Sequence, residues 1–322
     1  MNTQSGLCRI LCLDGGGSKG LYTLGVLSEL EKAIGRRISD QFDLIFGTST
    51  GAIIAAMVGL GWSVDEIKKR YMQLVPQIMG ARGQNGKSRL LHKLGKDIFG
   101  EQRFDAFGTG IGIVAMNYDT QQPLVFKNTA DRAHGSRASF VRGFGVTILD
   151  AIGASCAACP IFSKKVVHTV NKGDITAIDG GFIANNPSLF ALIDATKALK
   201  VPVEQIRLLS IGVGDYVEKP ITTGIMGLFT RLEMAQIASK VLVASSNTIE
   251  VVTRLLFPTL QMARINDAFP EPQHGTNMIE RNPAKLAKMF QLGIGSFAQH
   301  EQQIMAITSG EVVNTDGSEA AS

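Results

Sequence analysis

Three short stretches hold residue types that can do chemistry. Residues 14–20 read DGGGSKG, with Gly15, Gly17 and Gly20 spaced as G-x-G-x-x-G; residues 47–51 read GTSTG; and residues 179–181 read DGG. A serine between glycines on a tight turn is a candidate nucleophile, and a carboxylate framed by glycines is a candidate base. A run of glycine amides can meet a negative charge, either a pyrophosphate or an oxyanion.

The glycine spacing by itself fits a dinucleotide-binding loop. Such a site wants an acidic residue at the end of the second strand to bond the ribose hydroxyl. Here Asp40 and Asp43 precede that strand, its end carries GTSTG, and Asp14 would set a negative charge beside the pyrophosphate. GTSTG matches G-x-S-x-G between an expected strand and an expected helix, a sharp turn that lifts Ser49 Oγ out of the sheet. The same turn brings the Thr50 amide and the positive helix end toward an oxyanion, while Gly47 and Gly51 leave room for the strained backbone. With a nucleophile there, Gly15, Gly16 and Gly17 gain a use as donors to a charge that develops only in the transition state.

Asp179 ends a short expected strand, and Gly180 and Gly181 let its carboxylate face the crevice at the carboxyl edge of the sheet. The other reading is a structural aspartate capping a turn. His92, His134, His168, His274 and His300 are the five histidines, and none stands in a glycine-framed setting. A Ser49, Asp179 and His274 or His300 triad, in the chain order of α/β-hydrolases, is the alternative catalytic reading.

Elements must hold these groups. Arg9–Leu13 reads as a buried strand, and Leu21, Leu24, Leu27, Leu30 and Ile34 follow at helical spacing. Phe42–Phe46 is the second strand and Ala52–Leu60 the next helix. The uncharged stretch between Asp43 and Asp65 is long enough to cross a membrane, yet GTSTG divides it into strand, turn and buried helix. Gly110–Met116 and Pro123–Lys127 read as strands joined at a turn, Thr147–Ala158 as a small-residue helix, Ile175–Ile178 and Ile206–Ile211 as strands. A helix restarts at NNPSLF, with Asn186 as its cap and Pro187 first inside it. Residues 77–103 are expected to be a long basic loop or lid. The alternation predicts an α/β fold, a mostly parallel sheet covered by helices on both faces, with a helical C-terminal region.

Composition narrows the classes. Of 322 residues, 45% are hydrophobic and 19% charged, ordinary for a globular enzyme and contrary to disorder. The net charge of +4 is too small to argue for nucleic-acid binding. It is concentrated in Arg82, Lys87, Arg89, Lys93, Lys96 and Arg103, opposed by Asp97 and Glu101: either a solvated face or a patch for anionic lipid or a phosphate-bearing ligand. Cys156 and Cys159 form C-x-x-C inside ASCAACP, a small-residue run expected to pack in the core, and no second pair at zinc spacing accompanies it. No metal or cofactor is expected. The start of the chain shows neither a basic nor a long apolar segment, so a cytoplasmic chain is expected.

DGGGSKG, GTSTG and DGG in this order, with ASCAACP and NNP, resemble the patatin-like phospholipase family over about residues 8–215, and LCLDGGGSKG with GTSTG is similar to its calcium-independent phospholipase A2 members. The resemblance implies a lipid acyl hydrolase with a Ser49–Asp179 dyad, an oxyanion hole from Gly15 to Gly17, and Lys19 in the loop position where the family has a basic residue. It implies a phospholipid substrate met at a membrane surface by peripheral contact, and no calcium. It extends to bacterial defence effectors switched on by a cyclic nucleotide, for which the basic segment is a candidate contact. On this reading residues 1–307 are a single domain, with core motifs in 8–215 and a helical cap over 225–307, and residues 308–322 are a disordered tail.

Overall fold

Apolar runs without a polar face need cover on both sides. A computed structural model describes residues 6–134, 137–217 and 226–309. In chain order its elements are β1 (Cys8–Leu13), α1 (Gly20–Ile34), α2 (Ile38–Gln41), β2 (Leu44–Thr48), α3 (Thr50–Gly59), α4 (Val64–Gly80), α5 (Gly83–Phe99), β3 (Gly110–Asn117), β4 (Pro123–Lys127), α6 (Ile148–Ser155), β5 (Lys165–Thr169), β6 (Gly173–Asp179), α7 (Gly181–Ala184), α8 (Ser188–Ile193), β7 (Ile206–Ile211), β8 (Asp215–Tyr216), α9 (Met226–Leu256), β9 (Gln261–Ile265), β10 (Ala268–Phe269) and α10 (Pro283–Ser309).

The main sheet runs β5-β6-β3-β2-β1-β7-β9, and β4 also pairs with β3. Strands β3, β2, β1, β7 and β9 are mutually parallel; β4, β5 and β6 are antiparallel to their neighbours. Period-two alternation divides the core. Leu11, Leu13 and Ile45 pack with α1, α3 and α10 on one face, while Ile10, Cys12 and Phe46 pack with α8 on the other. The expected mostly parallel sheet covered on both faces is the fold observed.

One register decides where the chemistry sits. β2 and β6 share one edge of β3, with β4 on the other: Thr48 pairs with Val114, and Asp179 pairs with the next residue, Ala115. The carboxyl ends of two strands that run in opposite directions therefore meet head to head. Gly180 makes this junction possible, since a Cβ there would lie 2.1 Å from Val114 O.

Two expectations change. Residues 77–103 are not a loop: they are the end of α4, all of α5 and a short connection. Glycines 83 and 86 and the basic residues read as loop, but Leu90, Leu91, Leu94 and Ile98 carry a helical period and α5 packs against α4 and α6. The region 225–307 is helical but interrupted, because β9 lies in it as the edge strand of the sheet; QMARI is too short and too polar to announce itself. Its last helix, α10, lies along α1, where Gly25 and Gly293 let the two backbones touch. Residues 308 and 309 complete α10, whereas 225 and the tail 310–322 lie outside the described residues.

Candidate active site

Ser49 stands between β2 and α3 with φ 53° and ψ −119°, a left-handed conformation that costs a non-glycine residue about 1–3 kcal/mol. Surrounding contacts hold it there. Its N–H donates to Ser155 Oγ at 2.8 Å, and that hydroxyl donates to Val114 O. Gly47 and Gly51 face each other across the turn, a Cβ on Gly47 falling 2.3 Å from Gly51 O. Thr50 opens α3, so Ser49 Oγ sits at the positive end of a ten-residue helix.

Ser49 Oγ donates to Asp179 Oδ2 at 2.6 Å. The other carboxylate oxygen, Oδ1, accepts from Gly181 N–H at 2.7 Å, which fixes the plane of the group. Asp179 is 2% exposed, and burial pushes its carboxyl up from 3.8 to about 6, against the opposing hydrogen bonds from Ser49 and Gly181. Such a carboxylate is a better proton acceptor than an exposed one and is still ionised at neutral pH.

The glycine loop abuts the nucleophile: a Cβ built on Gly15 would lie 3.1 Å from Ser49 Cβ. Its donors are not equivalent. Gly15 N–H is already bonded to Asn185 O at 3.2 Å, and Ser18 N–H to Met278 O at 2.9 Å. Among the described residues no acceptor takes the N–H of Gly16 or Gly17. Gly17 has φ +60°, and a Cβ there would strike Met278 O at 2.2 Å. Gly20 begins α1 beside Thr50 Oγ1. Lys19 is buried, with Nζ 5.9 Å from the centre of the Tyr216 ring, and lines a neighbouring cleft but not the Ser49 pocket.

Ser49 opens onto an apolar pocket with about 760 Å³ of empty space, part of it open to solvent. Ile53 and Met57 of α3, Val75 of α4, and Leu94 and Ile98 of α5 are among its walls. Thus α5 turns its apolar side to the pocket, while Arg89, Lys93 and Lys96 are exposed. Sequence reasoning missed this wall; the leucine period of α5 was the signal that could have found it. It also gave Ser155 and Asn185 no role. Asn185 Nδ2 donates to Gly15 O at 3.3 Å and to Ser246 Oγ at 2.9 Å, tying the glycine loop to α9.

The histidines of the alternative triad are placed elsewhere. His300 bonds Asp267 at 2.8 Å, and His274 lies beside the Phe269 ring and Glu271. Among the described residues no histidine bonds Ser49 or Asp179 or lines the pocket. The dinucleotide reading lacks its acidic ribose partner, because the second strand ends at Thr48 and runs directly into the Ser49 turn; Asp14 is paired with Arg264 at 2.6 and 2.9 Å. Cys156 is buried at the wall of the pocket, and burial keeps its thiol well above the ordinary range, while Cys159 is only partly buried.

A family model described as patatin-like phospholipase matches residues 11–192. The chain is 42% identical over 298 residues to a cUMP-AMP-activated phospholipase of Escherichia coli, covering 92% of this chain and 93% of that one. It is 29% identical over 237 residues to a cGAMP-activated phospholipase of Escherichia coli strain TW11681, covering 66% of this chain and 64% of that protein. To calcium-independent phospholipase A2-gamma of Rattus norvegicus it is 28% identical, over 87% of this chain and 39% of that one.

Proposed function

The chain belongs to the patatin-like phospholipase family, and we propose that it is a lipid acyl hydrolase of phospholipase A type, with Ser49 as nucleophile and Asp179 as base, switched on by a cyclic dinucleotide as a bacterial defence effector. The observation that carries the chemistry is the 2.6 Å bond from Ser49 Oγ to Asp179 Oδ2 at the mouth of an apolar pocket.

As Ser49 Oγ attacks the ester carbonyl, its proton passes to Asp179 Oδ2. The carbonyl oxygen becomes an oxyanion, stabilised by the amides of Gly16 and Gly17 and by the positive end of α3. Collapse breaks the bond to the leaving oxygen, which takes the proton from Asp179 and departs as a lysolipid. Water then attacks the acyl-enzyme, giving its proton to Asp179, and the second collapse returns that proton to Ser49 Oγ and frees a fatty acid. The apolar pocket is the seat of the acyl chain. The backbone amides supply the electrophilic assistance, so hydrolysis is expected to continue in EDTA. The activation reading rests on the names and similarity of the Escherichia coli relatives.

A fluorophosphonate probe should label the wild type, and Ser49→Ala should abolish both labelling and fatty-acid release from phospholipid vesicles supplied with cyclic dinucleotide. Labelling that persists in Ser49→Ala would remove Ser49 as nucleophile.

A further inference from the structure

A second cleft touches the glycine loop without touching Ser49. Two adjoining hollows, with about 380 and 880 Å³ of empty space, share Lys19, Asp215, Ser239, Val243 and Asn247 and so form one cleft between α9 and the loop. We propose that this cleft binds the cyclic dinucleotide, and that the bound ligand sets the position of the Gly16 and Gly17 amides. The assignment rests on the activation reading above.

The ligand class has distinct demands: two phosphodiester charges, two flat bases with hydrogen-bonding edges, and a compact ring that needs a concave site. The cleft offers cations from Lys19 and Lys240, the hydroxyl of Tyr216, whose ring stacks on Phe269 at 5.3 Å, and amides from Asn247 and Asn266; its carboxylates are Asp14, which is paired with Arg264, and the exposed Asp215. Tyr216 is 7% exposed, and its hydroxyl has no hydrogen-bond partner among the described residues. The same holds for Oδ1 of Asn185, which is 4% exposed and also lines the cleft. Buried polar atoms of this kind are ordinarily satisfied, and a ligand with many donors and acceptors would satisfy them.

The cleft is also wired to the catalytic loop. Asn185 bridges Gly15 O and Ser246 of α9. Arg264 bridges Asp14, the residue before the loop, and Glu250 of α9 at 3.8 Å. Val213, a cleft residue, packs directly on Gly16, where a Cβ would meet it at 2.6 Å. A ligand lodged between α9 and the loop therefore bears on the residues that aim the oxyanion donors, and sub-ångström aim matters to their catalytic worth.

Two rival sites fit the ligand less well. The basic residues of α5 stand on an exposed helix face whose other side lines the acyl pocket. A hollow formed in part by Arg9, Arg36 and Arg132 also holds Asp40, Asp43 and Asp131, and touches neither Ser49 nor the glycine loop.

Titration calorimetry of the full chain with cUMP-AMP and with cyclic GMP-AMP tests the assignment. Lys240 and Asn247 are exposed, so K240E and N247A are expected to fold. Each should weaken binding of the dinucleotide that the wild type takes up, K240E by about tenfold or more, and should raise the concentration needed for activation in proportion. An R89E/K93E double variant should bind as the wild type does. If K240E and N247A bind normally while R89E/K93E loses binding, the site is on α5 and the assignment is overturned. Activation of the wild type with no effect of K240E or N247A overturns the assignment and leaves the activation reading intact. If neither dinucleotide binds the wild type and phospholipid is hydrolysed without them, the activation reading falls, and the assignment with it.

Discussion

With Asp179 as the proposed base, its raised carboxyl should act in opposite directions on catalysis and stability, and both can be measured. Its carboxyl is pushed up to about 6 by burial, so activity should fall as pH drops through about 6, where the base becomes protonated. An imidazole titrates near the same value, about 6.5, so variants must accompany the profile. Asp179→Asn should lower the rate by about 10² to 10⁴, because the amide can bond Ser49 but cannot take its proton. Replacing His274 or His300 by alanine should leave the rate within about tenfold, a barrier change of about 1.4 kcal/mol. For stability the sign reverses. A group whose folded-state pKa is raised binds protons more readily in the folded chain, so its contribution is greatest below about 4 and is lost as pH rises through 6. Asp179→Asn should therefore be more stable than wild type by about 2–3 kcal/mol at pH 8, with the difference vanishing near pH 4. Urea unfolding at the two pH values checks this; equal stability at both would mean that ionising Asp179 costs nothing.

At the scale of elements, α6 and α5 each support the site in a way that can be disturbed without touching the dyad. Ser155, at the end of α6, accepts from Ser49 N–H and donates to Val114 O. Ser155→Ala leaves both backbone groups buried and unpaired, which should cost about 1–3 kcal/mol of stability and lower kcat by loosening the strained turn. Thermal unfolding and vesicle hydrolysis measured on the same sample separate the two effects. Leu94 and Ile98 on the inner face of α5 line the pocket, and in the proposed reaction they set how long an acyl chain it accepts. Ile98→Trp should shorten the pocket and cut hydrolysis of long-chain esters at least about tenfold relative to short-chain ones, each excluded methylene being worth about 0.8 kcal/mol. An unchanged chain-length profile would place the acyl group elsewhere.

For the whole molecule, the question is how an enzyme with no helix long and apolar enough to cross a membrane, among the described residues, reaches its lipid. The exposed Arg89, Lys93 and Lys96 belong to α5, whose Leu94 and Ile98 line the apolar pocket. Contact through these basic residues would bring the pocket to the bilayer. Binding to anionic vesicles should then weaken as salt shortens the screening length below about 8 Å, and charge reversal at the three positions should mimic high salt. Binding indifferent to both would point to apolar insertion.

What the amino-acid sequence determined alone was the local chemistry. A serine between two glycines at a strand-to-helix junction, glycine amides after the first strand, and an aspartate before two glycines were legible because each motif is a few adjacent residues under local backbone constraints. The parallel sheet was legible for the same reason, from apolar runs alternating with helical periods. The tertiary structure decided the rest, since it depends on partners far apart in the chain. Only the β3 register, with Thr48 on Val114 and Asp179 on Ala115, brings Ser49 and Asp179, 130 residues apart, into hydrogen-bond contact. Only packing turned the basic stretch 77–103 into an amphipathic helix with one face on the apolar pocket, bonded Gly15 N–H to Asn185 O, and gave His300 to Asp267. Pairing and burial are long-range properties, and no spacing within a motif encodes them.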